Sequence, residues 1–157
     1  MSNDTIQHKG RPAEILLIED NRGDILLMQK AFKQIAMPNN VNVARSGEEA
    51  LQILRREGTH TGASQPDLIM LDLNLPKKSG KDVLQEIKSD DTLRHIPVIV
   101  LTSSRADLDV LRIYNLHANS YIVKPNNFEK FGEIVASIEK YWFATVILPD
   151  EKYVGKD

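Results

Sequence analysis

The stretch "IMLDLNLPKKSG", residues 69 to 80, places Asp72 at the end of a run that reads as a buried strand. Four of the five residues from Leu68 to Asp72 are aliphatic or Met. Short, continuously apolar runs of this kind are typical of strands that are buried on both faces of a parallel sheet. A carboxylate at the end of such a strand is costly unless other groups compensate its charge. The stretch therefore predicts a parallel sheet and a charged site at its edge.

The rest of the chain repeats this pattern. The five apolar runs are "EILLIED", "VNVAR", "DLIMLD", "PVIVLT" and "NSYIVK", and longer segments with helical periodicity lie between them. Alternation of strands and helices predicts an α/β fold with helices on both faces of the sheet.

Several helix boundaries can be read from the sequence. Ser46 with Glu49, and Ser104 with Asp107, have the spacing of a capping box, and Ser79 or Gly80 could cap the helix between them. The first helix is expected from about residue 23 to 35 and the last from about 127 to 142, where apolar residues recur every three or four positions. The polar loop "REGTHTGASQPD" is the connection expected to move most.

Composition limits the class of protein. The 157 residues are 41% hydrophobic and 27% charged, which suits one globular domain. The formal charge of -2 favours neither nucleic acid nor an anionic membrane as a partner, and the absence of cysteine excludes disulfides and thiolate chemistry. Without an apolar leader or a run long enough to span a bilayer, the expected location is the cytoplasm. We expect a flexible arm at 1–12, one domain at 13–143 and a C-terminal extension at 144–157.

Charged and hydroxyl groups recur where the predicted strands end. In open parallel sheets, functional groups collect at the carboxyl ends of the strands. The strand ends carry Glu19, Asp20, Asp72, Thr102, Ser103 and Lys124. Two carboxylates about 5 Å apart repel by roughly 3 kcal/mol at an effective dielectric of 20, so three mutual pairs cost on the order of 10 kcal/mol. Either a divalent cation such as Mg²⁺ or a raised carboxylate pKa is needed.

A carboxylate beside Mg²⁺, a hydroxyl and a lysine suits phosphoryl transfer. The carboxylate of Asp72 can attack a phosphoryl group and form an aspartyl phosphate. Mg²⁺ and Lys124 would neutralise the transferred charge, and Thr102 could donate a hydrogen bond to it. The hypothesis is therefore a phosphoacceptor site built on Asp72.

These residues are where the chain resembles the receiver domains of two-component response regulators. The resemblance runs from Ala13 to about Trp142 and includes the motifs "LLIEDN", "IMLDLNLPKKSG", "VIVLTSS" and "YIVKP", in that order. It implies a flavodoxin-like (CheY-like) fold with five parallel strands in the order 2-1-3-4-5. It also implies a signalling protein rather than an enzyme, one that assists only its own phosphorylation and dephosphorylation, with a histidine kinase as phosphoryl donor.

The resemblance assigns a role to each matching residue. Asp72 corresponds to the phosphoacceptor and Lys124 to the lysine that pairs with the phosphoryl group. The residues that correspond to metal ligands, for Mg²⁺ or Mn²⁺, are Glu19, Asp20, Asp72 and the backbone carbonyl of Asn74. Thr102 and Tyr121 correspond to the switch pair, and a cis bond is implied before Pro125. Many receivers have Asp where this chain has Glu19, whose longer side chain would bind the cation directly or through water.

A closer resemblance is to the small regulators encoded beside cyanobacterial and bacterial phytochromes. It is carried by "LIEDNRGDILLMQKAF", "DLNLPKKSGKDVLQEIKSD", "NLHANSYIVKP" and "IEKYWFATVILP". That subgroup is a receiver without an output domain, and its kinase is of the phytochrome type. It implies a homodimer through the fourth helix, the fifth strand, the fifth helix and the C-terminal extension, where the apolar residues Phe143, Val146, Ile147 and Leu148 would be covered.

Two other functions are possible on this fold. One is an interaction module that works without phosphorylation, which the complete acidic set and Lys124 disfavour. The other is a small enzyme on the same fold. A flavin site is disfavoured because no Ser/Thr-rich phosphate loop follows the first strand, and an aspartate-dependent phosphatase because Asn74 stands where a second acid is needed.

Overall fold

The computed structural model describes residues 11 to 103, 105 and 106, and 116 to 143. Within these ranges five parallel strands form one sheet in the order β2-β1-β3-β4-β5. The strands are β1 (Ala13–Ile18), β2 (Asn39–Ala44), β3 (Leu68–Asp72), β4 (Val98–Thr102) and β5 (Ser120–Val123). The predicted α/β, flavodoxin-like fold is confirmed.

The helices connect these strands. They are α1 (Arg22–Lys33), α2 (Gly47–Arg55), α3 (Gly80–Ser89) and α4 (Phe128–Ile138), and α4 continues into a π-helical turn, Glu139–Phe143. A 3₁₀ turn, Gly58–His60, lies in the loop before β3. The helix predicted for residues 104 to 115 falls outside the described residues except for 105 and 106. It therefore carries no number, and α4 corresponds to the fifth helix predicted from the sequence.

Each helix begins at a polar side chain that binds its first turn. The caps are Asn21, Ser46, Ser79 and Asn127, and each side chain accepts a hydrogen bond from the backbone N–H three residues later. At α2 the side chain of Glu49 also reaches back and accepts from Arg45 N, one residue before the cap, at 2.8 Å. These bonds satisfy donors that a helix start otherwise leaves without partners, so the predicted starts at Ser46 and Ser79 are confirmed.

The core has two layers, one on each face of the sheet. On one face α2 and α3 bury Ala50, Leu51, Leu54, Val83, Leu84 and Ile87. On the other face α1 and α4 bury Ile25, Met28, Ala31, Phe32, Phe131, Val135 and Ile138. This arrangement explains why β3 and β4 are buried at every position.

Gly80 brings the start of α3 against the end of β3. Its N–H donates to Leu73 O at 3.0 Å. A Cβ at this position would lie 2.4 Å from the carbonyl oxygen of Asp72 and 2.5 Å from Leu73 Cα, closer than side chains approach backbone. The "KKSG" sequence thus ends in glycine because the backbone after Asp72 leaves no room for a side chain.

The cis bond expected before Pro125 is not present. The described residues contain no cis peptide bond, so the bond from Lys124 to Pro125 is trans. The free-energy difference between the two isomers of an X–Pro bond is only about 0.5–1 kcal/mol, and a sequence motif therefore does not fix it.

The N-terminal boundary of the fold is tied down by an ion pair. Arg11 contacts both carboxylate oxygens of Asp67 at 2.7 and 2.8 Å, and Glu14 N donates to the same carboxylate at 2.8 Å. The C-terminal extension, including Val146, Ile147 and Leu148, lies outside the described residues, and the domain boundaries stay a prediction. Among the helices that the structure describes, none is both long and apolar enough to cross a membrane.

Candidate phosphoacceptor and metal site

Three carboxylates meet at the carboxyl ends of β1 and β3. Ile18 pairs with Leu71, so Glu19 and Asp72, one residue further along each strand, emerge side by side. Glu19 and Asp72 are only 1% and 2% exposed, whereas Asp20 is exposed. One oxygen from each of the three carboxylates lies within 4.8 Å of the others. The predicted acidic cluster is therefore assembled by the register of two neighbouring strands.

Backbone N–H groups orient the two buried carboxylates. Asp72 Oδ1 accepts from Asn74 N at 3.0 Å. Glu19 Oε2 accepts from Asp20 N at 3.1 Å and from Asn21 N at 3.2 Å. These bonds come from the turns that follow each strand, so the loop sequences fix the direction in which the oxygens point.

The cluster carries an electrostatic cost. At 4.8 Å two carboxylates repel by about 3 kcal/mol at an effective dielectric near 20. Burial and the neighbouring Asp72 together raise the pKa of Glu19 to about 8, although Lys124 opposes both effects. A hard divalent cation with oxygen ligands would favour the ionised carboxylates instead. The donor set of Glu19, Asp20 and Asp72 fits such a cation, Mg²⁺ or Mn²⁺.

Lys124 reaches the cluster from the end of β5. Its Nζ lies 2.6 Å from Glu19 Oε1, 3.1 Å from Asp72 Oδ2 and 2.8 Å from Asp24 Oδ2. Burial alone would lower the pKa of Lys124, but the hydrogen bonds to Asp24 and Glu19 outweigh burial and raise the pKa above the usual lysine range. The ammonium is therefore held in its charged form beside the predicted phosphoacceptor.

The other predicted residues lie at the same rim. Thr102 ends β4, is fully buried, and its carbonyl accepts from Lys124 N at 2.6 Å. Tyr121 lies in β5 in register with Val100 and packs, partly buried, against the core layer of α2 and α3. Asn74 is exposed, and its Nδ2 donates to Ser103 Oγ at 3.3 Å. The structure thus brings Thr102 and Asn74 to the site, with Tyr121 on the neighbouring strand.

Asp24 is the residue of this site that sequence reasoning missed. It lies in the first turn of α1, where an acid is expected for the helix dipole, so its position gave no sign of a second role. The contact with Lys124 joins residues 100 positions apart. The sequence signal that could have indicated this role is the spacing in "EDNRGDI", residues 19 to 25, where Asp24 follows Asp20 by four residues, about one helical turn.

Comparisons with known proteins agree with this geometry. The family model of the response regulator receiver domain matches residues 15–136. The crystal structure of the phosphorylated cyanobacterial phytochrome response regulator RcpA has a TM-score of 0.83 and 48% identity, covering 89% of this chain and 100% of that one.

Two further relatives are similar over most of the chain. The response regulator Rcp1 of Synechocystis is 41% identical over 138 residues, 88% of this chain and 94% of Rcp1. Its Mn²⁺-bound crystal structure has a TM-score of 0.81 over 88% of this chain and 100% of that one. The probable methanogenesis regulatory protein FilR2 of Methanothrix harundinacea is 43% identical over 132 residues, 83% of this chain and 84% of FilR2. The chain therefore belongs to the response regulator receiver family, as a response regulator homologous to Rcp1 and RcpA.

Proposed function

We propose that Asp72 is the phosphoacceptor of this response regulator. The observation that carries the proposal is the environment of its carboxylate. Oδ1 accepts from Asn74 N, Oδ2 lies 3.1 Å from the ammonium of Lys124, and the carboxylates of Glu19 and Asp20 lie beside it. A buried carboxylate that is oriented by hydrogen bonds, next to a cation site and an ammonium, is equipped to attack phosphorus.

The transfer conserves atoms and charge. One carboxylate oxygen of Asp72 forms a bond to phosphorus while the bond from phosphorus to the imidazole nitrogen of a kinase histidine breaks, and that nitrogen keeps the electron pair. Glu19, Asp20, Asp72 and the backbone carbonyl of Asn74 would hold Mg²⁺ or Mn²⁺, which supplies positive charge at the phosphoryl oxygens. Lys124 pairs with one of these oxygens, and the protein assists its own dephosphorylation from the same groups.

The signal is a change of conformation at Thr102 and Tyr121. A phosphoryl group on Asp72 adds charge and acceptor oxygens, which attract the Thr102 hydroxyl and the Lys124 ammonium. Thr102 is fully buried at the end of β4, so its movement would displace neighbouring atoms. Tyr121 is only partly buried, which leaves its ring room to change rotamer in response.

The proposed location of this regulator is the cytoplasm, and its proposed partner is a histidine kinase of the phytochrome type. The similarity to RcpA and Rcp1 supports it, since RcpA is named as a phytochrome response regulator. The comparably similar FilR2 is named for methanogenesis, so the kinase is best identified by transfer assays. No role in nucleic-acid or membrane binding is proposed.

We further propose a homodimer through the face that includes β5 and α4. An apolar groove runs between these elements, lined by Ile99, Ile122, Ile134 and Ile138. Tyr141, at its end, is 56% exposed. A second copy covering this groove would remove that apolar surface from water. The other proposed parts of the interface, residues 104 to 115 and 144–157, belong to the segments that the structure does not describe, apart from 105 and 106.

Phosphorylation by a small donor tests the acceptor. Wild type with Mg²⁺ and acetyl phosphate should gain the mass of one phosphoryl group and release acetate, and Asp72→Asn should gain none. Asp91→Asn, at an acid 87% exposed in its side chain, is the matched control and should behave as wild type. Persistent labelling of Asp72→Asn would move the acceptor elsewhere, and no labelling of wild type would refute the proposal.

The partner and the dimer need their own measurements. Transfer from a phosphorylated phytochrome kinase should be faster than transfer from an unrelated histidine kinase, and equal rates would refute the phytochrome assignment. Sedimentation with and without beryllofluoride, an acyl-phosphate mimic, should give a dimer mass. A monomer under both conditions would refute the dimer, and a dimer only with beryllofluoride would make assembly part of the switch.

A further inference from the structure

Lys124 carries one more carboxylate partner than the phosphoacceptor site requires. An ammonium group has three N–H donors. Within the described part of the chain, they face Glu19, Asp24 and Asp72 at 2.6, 2.8 and 3.1 Å. Glu19 and Asp72 belong to the acidic cluster that fits a cation, whereas Asp24 does not. Asp24 therefore has a contact at the site without being one of the proposed metal ligands.

The local structure of α1 explains how Asp24 reaches Lys124. Asn21 caps the helix, and its side chain accepts from Asp24 N at 2.9 Å, which fixes Asp24 in the first turn. Glu19 lies two residues before Asn21, and the side chains of Glu19 and Asp24 both contact the Lys124 ammonium at the end of β5. Asp24 is 25% exposed in its side chain and Lys124 is 11% exposed, so water screens this pair only in part.

The proposed reaction changes two of the three carboxylate contacts of Lys124 and leaves the third in place. A cation draws on the oxygens of Glu19 and Asp72, and a phosphoryl bond removes the charge of the Asp72 carboxylate. The Asp72 contact, at 3.1 Å, is the one that an oxygen of a phosphoryl group on Asp72 would replace. The carboxylate of Asp24 keeps its full charge throughout, because it is neither a cluster member nor the acceptor.

We propose that Asp24 is a positioning residue that holds the Lys124 ammonium at the site while the other two carboxylates engage the cation and the phosphoryl group. This inference rests on the proposed function of Asp72. Loss of a charge-assisted hydrogen bond to the group that pairs with the transferred phosphoryl should slow phosphorylation by about tenfold. If the inference is right, replacing Asp24 slows phosphorylation only when Lys124 is present, whereas a general loss of stability would slow it in either case.

A double-mutant cycle tests that route. The rate of phosphorylation by acetyl phosphate at saturating Mg²⁺ is measured for wild type, Asp24→Asn, Lys124→Gln and the double variant. Asp24→Asn should slow the wild type about tenfold but change Lys124→Gln by less than about twofold, because the effect of one residue disappears when its partner is absent. Equal slowing in both backgrounds would overturn the inference.

Asp82→Asn is the matched control. Asp82 occupies the same position in α3 that Asp24 has in α1: its N–H binds the capping side chain of Ser79, and both acids face a helix N-terminus. Loss of the helix-dipole interaction should therefore be similar in the two variants. Slowing of Asp82→Asn by as much as Asp24→Asn would assign the effect to the loss of an acid at a helix N-terminus and overturn the inference.

A spectroscopic measurement covers the case in which Lys124→Gln is too slow to assay. An ammonium held by three carboxylates exchanges its protons slowly, and its ¹⁵Nζ signal should be visible by NMR in wild type and in Asp82→Asn. In Asp24→Asn the exchange should be about tenfold faster. If Asp24→Asn exchanges these protons no faster than wild type, the inference is overturned while the function of Asp72 stands. If wild type takes no phosphoryl group, the function of Asp72 and this inference are refuted together.

Discussion

Replacing Gly80 by alanine puts a methyl group against the backbone that carries the phosphoacceptor. The new Cβ would lie 2.4 Å from Asp72 O and 2.5 Å from Leu73 Cα. Because side chains essentially never come within 3.0 Å of such atoms, the two segments must separate by at least 0.6 Å, the difference between 3.0 and 2.4 Å. Both neighbours are backbone atoms, so no rotamer change can relieve the contact.

The expected cost follows from this overlap. Overpacking of a closely packed site costs typically about 1–3 kcal/mol. Gly80 is the first residue of α3, so the higher helix propensity of alanine, which applies to helix interiors, recovers little, and the net loss should be about 2 kcal/mol. For a chain of this length that corresponds to a melting temperature lower by roughly 4–8 °C. Movement of the Asp72 backbone should also slow phosphorylation by acetyl phosphate.

Gly132→Ala provides the opposite control. Gly132 lies inside α4, and a Cβ there would meet no atom within 4 Å. The substitution should stabilise the fold by about 0.5–1 kcal/mol and leave phosphorylation unchanged. Urea unfolding followed by circular dichroism measures both variants. A Gly80→Ala protein as stable and as rapidly phosphorylated as wild type would refute the argument from close approach.

Three other predictions concern single carboxylates. Asp67→Ala removes a buried acceptor of the Glu14 N–H and should lower the free energy of unfolding, measured in urea, by about 2 kcal/mol. A loss below about 0.5 kcal/mol would contradict this prediction. Hydrogen bonds from Thr92 lower the pKa of Asp90 in the folded protein. The ionised Asp90 therefore stabilises the fold at a pH above its pKa in the unfolded chain, and this stabilisation is lost as the pH falls through its pKa in the folded protein. Asp90→Ala should therefore cost about 1 kcal/mol at pH 6, discounted for its exposure, and the difference from wild type should shrink in unfolding curves below pH 4. Mg²⁺ at a hundredfold excess over its dissociation constant should stabilise wild type by about 2.7 kcal/mol in thermal scans, an increment that EDTA removes, and Asp20→Asn should gain much less at the same concentration.

The predictions that succeeded rest on local patterns. The run from Leu68 to Asp72 is apolar at each position but the last, and it forms a strand buried throughout. Ser46 and Ser79 cap helices because their side chains bind N–H groups only three residues away. Patterns of this kind report contacts that are close in the sequence, which is why they can be read without a structure.

The features that sequence reasoning left open depend on packing. Ile25, Leu26, Leu27, Met28 and Phe32 are all apolar, and the sequence alone does not fix which of them α1 buries. In the structure Leu26 is 61% exposed while Ile25, Met28 and Phe32 are buried. The isomer of the bond before Pro125 was inferred from resemblance and was wrong, because surrounding structure decides between two states of nearly equal free energy.

The sequence by itself determined the strands, the capped helix starts and the set of charged groups at the carboxyl edge of a parallel sheet. Only the tertiary structure placed Asp24 on Lys124, 100 residues away, and raised the pKa of Glu19 by burying it beside Asp72. It also showed that Gly80 is required by the backbone of Asp72 rather than by its own turn. The reason is physical: propensity and capping act over a few residues, whereas burial and charge pairing depend on which distant segments the fold brings into contact.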